Sequence, residues 1–124
     1  MIADTTFVSD WLRERAGRPG PAIEFLAGHR QAEIRTTIIS VGEVAVMFEE
    51  SWQAWRALER WKILRMHPGI ISAAADVDRQ LMRAGRRLGE NDNWIAGFCR
   101  YYRQPVISRD ADFDRVPGVR RVEY

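Results

Sequence analysis

Cysteine is nearly missing from this chain of 124 residues, with Cys99 alone. An internal disulfide is therefore excluded, and a reducing cytoplasm is the simplest expected setting. Cys99 lies in the apolar run 94–99, which reads as a buried structural thiol and not a nucleophile. No apolar stretch approaches the roughly 20 residues that a bilayer-crossing helix needs, so no membrane association is expected. The N-terminus has no basic region followed by a long apolar one, so no signal peptide is expected. There are only two histidines. His29 falls beside an expected helix end and His67 precedes Pro68, so both read as helix-terminus or surface residues. Internal repeats, low-complexity tracts and interdomain linkers are also missing. The chain at 14.4 kDa reads as one domain spanning 1–124.

What is present fits a packed globular chain. Hydrophobic residues make up 46%, and five Trp and five Phe supply large core pieces, which excludes disorder. The net charge of +2 says little by itself. Its distribution says more, because pooling several acids in one pocket leaves the remaining surface distinctly basic. That arrangement suits a polyanion held by its phosphates.

Short apolar β-type segments alternate with helical patterns. Residues 1–3 predict a first buried strand, and Asp4, Thr5 and Thr6 offer caps to a helix presenting Phe7, Val8, Trp11 and Leu12 on one face. A loop at 17–21 precedes a second helix over 22–30. The β-branched segment 34–39 predicts strand two. Ser40 is the expected cap of a helix that carries Glu43, Val44, Met47 and Phe48. Trp52, Trp55, Leu58 and Ile63 recur near helical spacing and predict a helix over 51–66. Residues 69–72 read as strand three and 73–88 as a helix with a basic face. Asn91 or Asp92 caps a further helix through 102, strand four starts at Pro105, and 119–122 form a short edge strand. Strands alternating with helices predict a three-layer α/β/α sandwich around a mostly parallel sheet.

Four acids stand out against this frame. Asp4 and Asp110 follow expected strands, Glu43 lies just past the second, and Asp92 opens a helix. In an open α/β sheet, ligands bind in the crevice beyond the carboxyl ends of the strands. Carboxylates gathered there repel one another unless a cation joins them, which points to a hard divalent metal and metal-assisted chemistry. No histidine lies in these segments, so no histidine base is assigned.

The order and spacing of four segments carry a resemblance. Ile2-Ala3-Asp4-Thr5-Thr6, Ser40-Val41-Gly42-Glu43, Asn91-Asp92-Asn93-Trp94-Ile95-Ala96 and Ser108-Arg109-Asp110-Ala111-Asp112-Phe113 occur in that order. Together they resemble the PIN-domain ribonucleases and, within them, the VapC-like toxins of toxin–antitoxin modules. The segment 114–119 resembles the usual chain ending of that group. The resemblance implies a sheet of about five strands, Mg²⁺ or Mn²⁺ held by Asp4, Glu43, Asp92 and Asp110, and endonucleolytic cleavage of RNA. It also implies a cognate antitoxin and a homodimer, for which the tryptophan-bearing helix is the expected contact. Thr6 and Ser108 match positions where the family favours Ser or Thr, and their hydroxyls are expected to orient a water or a carboxylate. Alignment on Ser108 selects Asp110 as the fourth acid, with Asp112 in reserve.

Two other readings stay open at this level. One is a nuclease acting on DNA, and the other is a non-catalytic RNA- or protein-binding module that keeps the acidic pocket. A phosphatase-like chain would carry an Asp-x-Asp pair after its first strand, and Asp4-Thr5-Thr6 lacks the second Asp.

Overall fold

The computed structural model describes residues 1–124 and contains five strands and six α-helices. In chain order they are β1 (Ile2–Ala3), α1 (Thr5–Ala16), α2 (Pro21–Gly28), β2 (Arg35–Thr37), α3 (Ile38–Ala45), α4 (Ser51–Ala57), β3 (Lys62–Leu64), α5 (Pro68–Arg83), α6 (Glu90–Tyr102), β4 (Val106–Ile107) and β5 (Arg121–Val122). A short 3-10 helix, Ala111–Arg115, lies between β4 and β5. All strand pairs are parallel, in the order β3-β2-β1-β4-β5. The expected α/β sandwich with a five-stranded sheet is therefore the observed fold.

Alternation along the strands builds the two faces. Ile2 of β1 and Val106 of β4 join a core with Ile70, Val77, Ile95 and Phe98 of α5 and α6. Their neighbours Ala3 and Ile107 turn the other way, into a core with Phe7, Val8, Val41 and Leu58. Each central strand is thus buried on both sides, as a parallel sheet requires. Between α5 and α6 the packing is close enough that a Cβ on Gly97 would stand 2.6 Å from the Ala74 Cβ.

Several local expectations are corrected. Strand two covers only 35–37; Ile38 and Ile39 already belong to α3. The cap of that helix is Thr37, whose Oγ1 accepts from the Ser40 amide at 3.1 Å, and not Ser40. The helix expected over 51–66 stops at Ala57. Beyond it the chain turns, Trp61 packs edge-on against Trp11 at 5.2 Å, and Lys62–Leu64 pairs with β2. Strand three is therefore this segment and not 69–72. Those residues form the first turn of α5, with Pro68 at its start and the His67 ring accepting from the Gly69 amide. Ile70 is fully buried while Ile71 is 47% exposed, consistent with a helix face. The helix expected to reach 88 ends at Arg83. The cap of α6 is Gly89, which places Asn91 and Asp92 inside its first turn.

Candidate functional site

Three adjacent strands, β2, β1 and β4, end on the same side of the sheet because all are parallel. Asp4 directly follows β1 and is 3% exposed. It caps α1, its Oδ1 accepting from the Phe7 amide at 2.7 Å. Asp110 follows β4 by three residues and caps the 3-10 helix, its Oδ1 accepting from the Asp112 amide at 2.8 Å. Glu43 lies in the second turn of α3, which starts where β2 ends. Asp92, partly buried, lies in the first turn of α6.

The acids sense one another. Burial pushes the Asp4 carboxyl up to about 6; the Phe7 amide and the Ser108 hydroxyl oppose this, and the charges of Asp92 and Asp110 add to it. Asp92 is also raised, first by burial and then by Asp110, Glu43 and Asp112. Asp4 and Asp92 thus both feel the charge of neighbouring carboxylates, which puts these acids in one electrostatic neighbourhood. The approach is looser than joint ligation, however, since no three His, Cys, Asp or Glu side chains are gathered tightly enough to enclose one ion. The donor chemistry nonetheless suits a hard cation. The segments that carry these acids offer carboxylate and hydroxyl oxygens without imidazole, and the nearby Cys99 is fully buried. A divalent ion of the Mg²⁺ type takes one or two carboxylates directly and keeps several waters.

Polar neighbours hold Glu43 from both sides. Thr5 Oγ1 donates a short hydrogen bond to one carboxylate oxygen, and Asn91 Nδ2 donates to Oε1 at 2.9 Å. Ser40 Oγ lies 3.2 Å from both Thr5 Oγ1 and Thr37 Oγ1. The hydroxyl that reaches Glu43 thus belongs to Thr5, while Thr6 is exposed. This is because Thr5 is the first residue of α1, beside Asp4. Neither Asn91 nor Asp92 is the cap that the sequence predicts there, and the Asn91 side chain instead joins α6 to α3. The only available signals were adjacency to Asp4 and to Asp92. Ser108 is fully buried, and its Oγ accepts from the Asp110 amide at 2.9 Å. Asp112 pairs with Arg115. Asn93 Nδ2 donates to the Ala74 carbonyl at 3.0 Å.

The acids do not line an enclosed cavity. A concavity of about 440 Å³ is bounded by Arg15, Trp52, Arg56 and Arg60, and none of the surface concavities includes Asp4, Glu43, Asp92 or Asp110. Small-molecule sites are usually enclosed. The acids stand instead around the open carboxyl end of the central strands, with Asp110 exposed.

Comparison with known proteins adds an independent line. The model of the PIN domain matches residues 1–119. Comparison with proteins of curated function finds no match. Among solved structures, a chain of the DNA-bound VapBC complex from Salmonella typhimurium superposes with a TM-score of 0.82 at 18% identity, covering 98% of this chain and 96% of that one. A chain of DNA-bound VapBC2 from Rickettsia felis gives 0.80 at 16% identity, covering 99% and 97%. A chain of VapBC-1 from nontypeable Haemophilus influenzae gives 0.75 at 21% identity, covering 98% and 96%. At these identities the likeness is one of fold.

Proposed function

The chain belongs to the PIN-domain family, and on that premise we propose that it is a single-domain, metal-dependent endoribonuclease acting as the toxin of a toxin–antitoxin pair. The observation that carries the reading is that Asp4, Asp110 and Glu43 stand beyond the carboxyl ends of adjacent parallel strands, with Asp92 on the helix that Asn91 ties to Glu43. Asp4, Glu43, Asp92 and Asp110 would hold Mg²⁺ or Mn²⁺, with Asp112 in reserve, since its pairing with Arg115 competes for its carboxylate. Such an ion supplies positive charge at the reacting phosphate and lowers the pKa of water.

The remaining work falls to the chain itself. Thr5 and Asn91 fix both oxygens of Glu43, so that carboxylate keeps one orientation. The Phe7 amide fixes Asp4, and the Ser108 hydroxyl, through the Asp110 backbone, fixes the turn that carries Asp110. A water oxygen attacks phosphorus and loses its proton to solvent as the P–O3′ bond breaks. The electron pair stays on O3′, which takes a proton from solvent, leaving a 5′-phosphate and a 3′-hydroxyl.

Partners follow from the same reading. The structural neighbours come from VapBC complexes, and we propose a cognate antitoxin protein and a homodimer for this chain. Trp52 and Trp55 of α4, 56% and 50% exposed, supply apolar surface for the dimer contact. A free Cys99 and the lack of any helix long and apolar enough to cross a membrane support a site of action in the cytoplasm.

The test is cleavage of matched single-stranded RNA and DNA oligonucleotides with Mg²⁺, with Mn²⁺ and with EDTA. RNA should be cut with either ion and spared with EDTA, and Asp4→Ala or Asp92→Ala should abolish cutting. Equal cleavage by either variant would remove it from the site. Cleavage of DNA alone would change the substrate class, and metal-dependent binding without cleavage would favour a binding module.

A further inference from the structure

Asp110 is the most exposed of the four acids and the one carried by a loop, so something must hold that loop. Its neighbour Arg109 points back to α1, where Nη2 meets Asp10 Oδ2 at 2.7 Å. The same Asp10 oxygen accepts from the Tyr124 hydroxyl at 2.8 Å. The Arg109 guanidinium also lies over the Tyr124 ring, 4.7 Å from its centroid. That ring packs edge-on against the fully buried Phe7, at 4.6 Å and 80°. Phe7 in turn donates its amide to Asp4. Three parts of the chain, the second turn of α1, the turn after β4 and the end after β5, thus meet beside two of the site acids.

We propose that Asp10, Arg109 and Tyr124 form a latch that sets the position of Asp110 relative to Asp4. Its catalytic consequence rests on the nuclease reading above. A surface ion pair alone contributes little, but this one differs in three ways. The Asp10 side chain is only 17% exposed. One of its oxygens receives two donors. Arg109 is also stacked on an aromatic ring that is anchored in the core. Burial and the adjoining Asp10 push the Tyr124 phenol far above its usual range, so it remains a donor at every working pH. From the other side, Arg121 Nη1 donates to the Ser108 carbonyl at 3.3 Å while its guanidinium grips Asp114. The turn carrying Asp110 is therefore held at both flanks. Asp10, Arg109 and Tyr124 are positioning residues, because they act through Asp110.

The test compares wild type with Tyr124→Phe and Asp10→Asn, which keep ring and shape while removing the hydroxyl or the charge. Two quantities are read: amide exchange of 110–112 in the metal-free protein, and Mn²⁺ affinity followed by paramagnetic resonance. The latch predicts exchange at 110–112 faster by about tenfold and Mn²⁺ binding weaker by on the order of tenfold, with KM for RNA unchanged. Arg109→Lys, which keeps the ion pair, should recover part of what Arg109→Ala loses. Unchanged exchange and unchanged Mn²⁺ affinity in both variants would overturn the latch. So would a raised KM with intact Mn²⁺ affinity in Arg109→Ala, since Arg109 would then be contacting RNA directly. If Asp10→Asn fails to fold, Tyr124→Phe decides alone. Should wild type neither bind Mn²⁺ nor cut RNA, the nuclease reading fails, while the exchange comparison still decides the latch.

Discussion

Asp4 shows how one side chain serves two opposed demands. It caps α1 through the Phe7 amide, which favours the carboxylate, yet it is buried beside other acids, which disfavours charge. With the folded value raised to about 6, the native state binds a proton more tightly than the unfolded chain. Stability of the metal-free protein should therefore rise as pH falls through about 6, be gained in full below the ordinary carboxylate range, and be lost again as pH climbs. Asp92 acts in the same direction. Asp78, Asp114 and Glu33, whose arginine partners hold them below the ordinary range, act in the opposite direction and only at lower pH. Keeping Asp4 ionised at neutral pH costs the metal-free fold about 2–3 kcal/mol. Asp4→Asn should stabilise the metal-free protein by that order while flattening the pH dependence between 7 and 5. Thermal melts in EDTA at several pH values check this, and a variant that melts like wild type across that range would contradict it.

At the scale of elements, the pair α5–α6 determines where Asp92 stands. Ala74 meets Gly97 so closely that a methyl group has no room, and the Asn93 amide ties the same turn to the α5 backbone. Gly97→Ala should push the helices apart and cost about 1–3 kcal/mol, visible as a lower urea midpoint; an unchanged midpoint would mean the contact relaxes freely. Thr37 plays a comparable part for Glu43. Its hydroxyl caps α3 and touches Ser40, so Thr37→Ala should cost about 1 kcal/mol by the same measurement. The apolar pattern locates these helices, but α3, α4, α5 and α6 each start or stop away from the positions it predicts. Trp61 lies at helical spacing from Trp55 and Leu58, yet it packs on Trp11 after the chain has turned. Ile70-Ile71 reads as a strand until Pro68 is seen to start a helix there.

At the scale of the whole molecule, the four site acids and the exposed tryptophans of α4 lie on different elements. The site acids stand at the carboxyl end of the sheet, and the exposed Val46, Met47, Trp52 and Trp55 cluster in sequence from the end of α3 into α4, whereas Ile71, Met82 and Tyr101 lie on α5 and α6. If that cluster is the subunit contact, Trp52→Glu with Trp55→Glu should convert a dimer to a monomer in sedimentation. Neither residue packs in the main cores, so the melting profile of the folded monomer should stay cooperative. A dimer that persists would place the contact elsewhere.

The four acids and their order were legible in the chain because each is attached to a local signal, an apolar strand end or a helix start. The α/β class was legible because a buried parallel sheet requires apolar strands separated by amphipathic helices. Strand limits were not, since elements of two or three residues carry almost no periodicity of their own. Nor were the side chains that hold the acids in place. Thr5 finds Glu43, and Tyr124 finds Asp10 across 114 positions, only once the sheet has brought those segments together. Such partners are selected by distance in space, and spacing along the chain has no term for it.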